Sequence, residues 1–135
     1  MLLSRACADA AGGFEEAFFA YYEEVDLCLR ARASGFTIIC VPQAVVRHDG
    51  LRGFLGGFTE ISAELKARNL VQLMRRWARP ADWSLLAPTY IALLLGSAAL
   101  YALRGRPEIV AALLRGTAAG LRHAGGATPA VLRPV

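Results

Sequence analysis

Cysteine is scarce in this chain: the three present, Cys7, Cys28 and Cys40, are odd in number and never spaced as Cys-x-x-Cys. That excludes a disulfide framework and a cysteine-built zinc site, and it fits a reducing, cytosolic setting. Charge is also thin, at 19% of residues against 56% hydrophobic, with a mean hydropathy of +0.40. Such a balance is apolar for a soluble domain and points to membrane contact. The N-terminus has no long apolar run, because Arg5 and Asp9 interrupt it before the core of a secretory signal could form. A length of 135 residues permits one domain with a single core.

The charge that is present is unevenly placed. Up to residue 60 there are five basic residues (Arg5, Arg30, Arg32, Arg47, Arg52) against eight acidic ones, and from residue 61 ten basic against three acidic. An acidic, polar half therefore precedes a basic, apolar half. The arginines of the second half are interleaved with Leu, Ala and Trp rather than with the polar and aromatic residues of a nucleic-acid face. This pattern suits an anionic lipid surface, and no nucleic-acid partner is expected.

Met1-Leu2-Leu3 reads as a strand that opens in mid-run, and Ala11-Gly12-Gly13-Phe14 as a glycine turn. A helix is expected over Glu23 to Ser34: Glu23, Glu24 and Asp26 fill its first turn, Arg30 and Arg32 lie towards its end, and Gly35 stands just past it. Phe36 to Val41 is β-branched and apolar, so it predicts a buried strand stopped by Pro42. Ala44 to Arg47 predicts a second short strand that delivers His48. Helical spacing returns from Ile61 to Trp77.

Ser84 to Leu103 contains no charge and is long enough to cross a bilayer core of about 30 Å. Arginines flank it on both sides, at 75, 76 and 79 before and at 104, 106 and 115 after, and Pro88 disturbs its first turns. Two placements stay open, a true span and a pair of helices lying in the membrane face with Pro107 to Arg122 as the amphipathic second member.

Acids in a first helical turn are ordinarily dipole-complementing residues, and a lone histidine at a strand end is ordinarily no ligand. Their joint order says more. Gly12-Gly13-Phe14-Glu15-Glu16, then Phe18-Phe19-Ala20-Tyr21-Tyr22-Glu23-Glu24-Val25-Asp26-Leu27-Cys28-Leu29-Arg30, then Gly35, then Val41-Pro42-Gln43-Ala44-Val45-Val46-Arg47-His48, resembles the acceptor half of family 2 glycosyltransferases, especially the rhamnosyltransferase-like branch. Arg68-Asn69 and the basic, apolar C-terminal segment are similar to the region downstream of the acceptor half in that branch.

The resemblance implies an α/β chain: a partial GT-A fold, with an incomplete mixed sheet and flanking helices, followed by membrane-associated helices. It divides the chain into an acceptor-side part over 1–60, a connecting helix over 61–79, a membrane-associated helical segment over 80–124 and a disordered tail over 125–135. It implies inverting transfer of a sugar, a deoxyhexose such as rhamnose, from a nucleotide-sugar donor to a lipid-linked or polysaccharide acceptor of the cell envelope, at the cytoplasmic face of the inner membrane. Glu24 takes the place of the catalytic base, where the family more often has Asp. Glu23 and Asp26 flank it as supporting carboxylates, Gly12, Gly13 and Phe14 line the acceptor pocket, and His48 completes a divalent metal site for Mg or Mn.

No Asp-x-Asp pair occurs in the sequence. His48 alone cannot hold a cation that wants several oxygen ligands, so no metal is expected on this chain by itself. The expectation is therefore a C-terminal portion, inactive alone, whose nucleotide-binding half is supplied elsewhere. Two alternatives are one half of a split enzyme, completed by a separate N-terminal polypeptide, and a non-enzymatic module of the membrane surface.

Overall fold

The computed structural model describes residues 1–45 and 59–122. Their regular structure is helical: α1 (Arg5–Ala11), α2 (Glu23–Ala33), α3 (Glu60–Trp77), α4 (Trp83–Leu103) and α5 (Pro107–Arg122), with short 3₁₀ turns at Glu16–Phe18 and Pro80–Asp82. No strand occurs among the described residues, so the α/β expectation of a partial GT-A sheet is corrected to an all-helical arrangement. Met1–Leu3 and Phe36–Val41 have strand-like composition, but a strand persists only where a neighbour exchanges ladder hydrogen bonds with it, and neither segment has one among the described residues. Apart from Phe36, which is half-buried, their apolar side chains lie open, with Leu2 97% and Ile39 75% exposed. Beyond Val41 the chain turns at Pro42–Gln43 and the Ala44 N–H bonds back to the Val41 carbonyl at 3.0 Å, so Ala44 and Val45 form no strand either. Val46 to His48 and the tail over 125–135 lie outside the described residues.

The helices follow local signals. Ser4 caps α1 by accepting the Cys7 N–H, and Gly12, at φ 75°, ends it in the left-handed region that suits glycine. α1 is an addition to the elements that the sequence pattern predicts. α2, α3 and α5 fall where helical spacing predicts them. Thr59 and Ser62 cap α3 reciprocally, each hydroxyl accepting the other's N–H at 3.2 and 3.0 Å.

Two small cores result. Cys7 and Ala11 of α1 pack on Leu27 and Ala31 of α2, under Phe36. Ala63 and Ala67 of α3 pack on Ile109, Ala112 and Leu113 of α5, with Leu94 and Tyr101 of α4 against them. α3 and α5 run in the same direction: Gly116 meets Glu64 and Ala67, Gly120 meets Arg68 and Val71, and Arg75 donates to the Gly120 and Leu121 carbonyls at 3.0 and 2.6 Å. That last contact satisfies carbonyls that a helix end leaves without partners. α4 runs back between them in sequence, its Tyr90 hydroxyl 2.7 Å from the Thr117 hydroxyl of α5. None of its residues is buried. Over Pro80–Leu103 it is, among the described residues, the one helix long and apolar enough to cross a membrane.

The α3–α5 contact depends on two missing side chains. A Cβ at 116 would fall on the Glu64 carbonyl, and one at 120 would stand 2.6 Å from the Arg68 carbonyl oxygen. Alanine is the better helix former by about 1 kcal/mol, yet overpacking a fixed backbone costs about 1–3 kcal/mol. Gly116→Ala and Gly120→Ala should therefore each lower the unfolding free energy, by about 1–2 kcal/mol in urea titrations. Gly96→Ala, with open space around it, should raise it slightly. Equal effects at all three positions would contradict this packing.

Candidate functional site

The approach to α2 is backbone held against its own preference. After Gly12 and Gly13 (φ 75° and 72°) the chain makes the Glu16–Phe18 turn, and Phe19, Tyr21 and Tyr22 then follow at φ 60°, 70° and 69°. Side-chain-bearing residues in such conformations cost roughly 1–3 kcal/mol each and persist only when their surroundings impose them. Here α3 imposes them. The fully buried Asn69 amide donates to the carbonyls of Phe18, Ala20 and Tyr21 at 2.8, 2.6 and 2.9 Å. Arg68 orients that amide through Nε to Asn69 Oδ1 at 2.8 Å and reaches the Ala17 and Phe18 carbonyls with its other end. The Lys66 ammonium lies over the Tyr21 ring, 4.7 Å from its centre.

The loop thus delivers Tyr22 as the N-terminal boundary of α2, which leaves Glu23, Glu24 and Asp26 in the first turn. Free N–H groups there favour negative charge. The three carboxylates meet different surroundings. Asp26 is fully buried and saturated: Oδ2 accepts from Arg30 Nε at 2.8 Å, Oδ1 accepts from Trp77 Nε1 at 2.9 Å, and Arg76 Nη1 stands 3.4 Å away. Arg30 also donates to the Ala11 carbonyl, and Arg76 Nη1 to Glu15 at 3.1 Å. Asp26 holds α1, α2 and α3 together and has no lone pair turned to a ligand.

Glu23 is half-buried. Its Oε2 is shielded from solvent and has no hydrogen-bond partner among the described residues. With Phe14, Glu15, Glu16 and Phe19 it lines an open cleft of about 640 Å³. Glu24 is exposed on the same turn. Burial, and then the Glu24 charge, push the Tyr22 phenol above its ordinary value.

Of the residues singled out from sequence, Phe14 and Glu23 share the cleft, while Glu24, exposed on the same helical turn as Glu23, does not line it. Gly12 and Gly13 turn the chain into the cleft and do not line it. His48 lies outside the described residues, and among those described no group of three or more His, Cys, Asp or Glu side chains converges as a metal site. The sequence pattern does not reveal the roles of Asn69, Arg76 and Trp77. Arg68-Asn69 is visible there as a dipeptide, but its partners lie some fifty positions away in the chain. No family model matches the chain, and no curated protein or solved structure matches it either.

Removing one member of a buried charge cluster costs about 3–5 kcal/mol, because the others remain charged and unpaired. Asp26→Asn should therefore destabilise the fold by about 3 kcal/mol or more in denaturant titration, while Glu24→Gln, at an exposed site, should shift stability by less than about 0.5 kcal/mol. Similar losses at both positions would contradict the division of roles. Tyr22 gives an independent reading. With its phenol raised above the unfolded value, it contributes stability that is complete below about pH 10 and fades as pH climbs through the folded-state value. Glu24→Gln should lower the Tyr22 midpoint, followed by NMR of the ring carbons, without abolishing the elevation, since burial is the larger cause.

Proposed function

We propose that residues 12–26 form the acceptor wall of an inverting glycosyltransferase of the family 2 type, with Glu24 as the base. The acceptor hydroxyl gives its proton to the Glu24 carboxylate as its oxygen bonds to the anomeric carbon of the donor sugar. The bond from that carbon to the nucleotide diphosphate breaks, the diphosphate leaves with the electron pair, and configuration inverts. Position and a matched base supply the rate, since a well-placed general base contributes about 10²–10⁴-fold.

The observation that carries this reading is the arrangement at the α2 N-terminus. Glu23, half-buried and with a shielded oxygen that lacks a partner among the described residues, lines a cleft flanked by the exposed rings of Phe14 and Phe19, and Glu24 stands exposed next to it at the start of α2. Exposed aromatic rings suit the apolar faces of a sugar, and carboxylates suit its hydroxyls. The glycine turn, the aromatic run and the acids also occur in the order that resembles the family. The donor is a nucleotide-sugar, the transferred group a deoxyhexose such as rhamnose, and the acceptor a cell-envelope glycan at the cytoplasmic face of the plasma membrane. Donor binding and a divalent cation belong to a partner half that carries the Asp-x-Asp carboxylates. A second reading, a non-enzymatic module of the membrane surface, draws on the exposure of α4.

Sugar analysis of envelope polysaccharide separates the two. Deleting the gene should remove or reduce one envelope sugar. Complementation with the wild-type chain, or with Glu24→Asp at least in part, should restore that sugar, whereas Glu24→Gln should lower its incorporation about a hundredfold. Unchanged envelope sugars after deletion, or full rescue by Glu24→Gln, would refute the enzymatic reading. Calorimetry on the isolated chain should detect no binding of a nucleoside-diphosphate sugar.

A further inference from the structure

We infer that the α3–α4–α5 unit is seated in the plane of an anionic bilayer surface, with the outer face of α4 sunk into the lipid and no helix crossing it. This seating is independent of the glycosyl-transfer reading and narrows its acceptor to a lipid-borne one.

By length α4 reaches about 32 Å, enough to cross. It would not cross alone. α5 folds straight back along it through the three-residue turn Arg104–Arg106, and Thr117 of α5 meets Tyr90, in the first half of α4. α3 in turn lies along α5 from Glu64 at Gly116 to Arg75 at Leu121. An upright α4 would therefore draw both neighbours down to hydrocarbon depth. With them would go Arg115 and its partners Glu60 and Glu64, a cluster whose side chains are 53%, 56% and 41% exposed. Exposed ionised groups at that depth are costly, whereas charges lying above an in-plane helix stay in water.

The surface is arranged for the second case. Tyr90, Leu94 and Tyr101 of α4 form the stripe that faces the bundle. At about 100° per residue, Leu85, Leu95 and Leu103 point the opposite way, and they are 71%, 63% and 88% exposed. On α5, Leu114 and Leu121 fall on the same side as Thr117, so they extend this apolar surface, while Arg115 and Arg122 stand on the other flank. Such a patch, unbroken along a whole helix, marks an interaction face.

Its surroundings indicate the occupant. From Arg79 to Arg122 the unit has five arginines; Arg79 pairs with Asp82, Arg106 with Glu108 and Arg115 with Glu60 and Glu64 of α3, and Arg104 and Arg122, at opposite ends of α5, have no carboxylate partner among the described residues. A positive rim around an apolar face complements anionic headgroups. Glu15, on the wall of the cleft, is tied to Arg76 near the end of α3, which joins the cleft to the seated unit.

The test uses the full chain with vesicles of equal parts phosphatidylglycerol and phosphatidylcholine, and with phosphatidylcholine alone. Leu85→Trp, Leu95→Trp and Leu103→Trp, one at a time, report depth as added quenching over the parent chain by lipids brominated near the headgroup or near the chain ends. In-plane seating gives three similar, shallow depths and binding weaker by about tenfold or more on the neutral vesicles. Leu95→Glu, on the exposed face, should weaken binding by a similar factor while leaving circular dichroism in solution unchanged. A deep position 95 between shallow positions 85 and 103 would mean a span and overturn the inference. So would absence of vesicle binding, with sedimentation showing that a second copy covers the face. Envelope-sugar analysis reads the enzymatic proposal separately, so either idea can fail while the other stands.

Discussion

Three helices of this chain meet on one buried carboxylate. Asp26 accepts from Arg30 on its own helix and from Trp77 at the end of α3, with Arg76 of α3 beside it. The two arginines carry the connection outward, Arg30 to the last carbonyl of α1 and Arg76 to Glu15 at the cleft. A charge taken out of water is tolerable only when its attraction to partners and its hydrogen bonds offset the lost hydration. The need of a single buried anion therefore sets where α1, α2 and the end of α3 lie relative to each other. The apolar cores on either side are small, built largely from alanine, and add packing around this polar centre.

The same geometry separates carboxylates that look alike in sequence. Glu23, Glu24 and Asp26 occupy one helical turn and meet one helix terminus. Asp26 faces inward and is consumed by partners, Glu24 faces water, and Glu23 lines the cleft while its shielded Oε2 has no partner among the described residues. Environment separates them: Asp26 holds the helices together, and Glu23 and Glu24 stand outside that cluster. Clamping by Asn69 keeps this arrangement in place, since the three residues at positive φ just before α2 would otherwise relax and take the helix N-terminus with them.

In the second half, glycine and alanine take the place that large side chains have in most cores. Gly116 and Gly120 let α5 approach the backbone of α3, and dispersion over that close contact replaces the burial of bulky groups. Beyond Ile109 and Leu113, many of the large apolar residues of this half are left on the outside, on α4 and the adjoining flank of α5. That outward apolar face is the one proposed above to lie against lipid.

Much of the helical content was legible along the chain. Acids in the first turn of α2, arginines in its last turn and Gly35 after it bounded that helix, and the charge-free run from Ser84 together with the amphipathic run from Pro107 bounded α4 and α5. These are local signals, in which a residue and its neighbours within a turn decide the outcome. The strands expected at Met1–Leu3 and Phe36–Val41 failed for the complementary reason: β structure is a property of two segments, and composition in one says nothing of whether the other lies alongside. The candidate carboxylates, too, could be named from sequence, but which of them is free could not. That depended on Arg76, Trp77 and Asn69, each more than forty residues away, reaching back across the fold to bind a carboxylate or a carbonyl. What the residues determined by themselves was where helices start and stop and where charge and apolar surface run. Only the tertiary structure decided which charges are buried and paired, because pairing depends on distances in space that sequence separation does not encode.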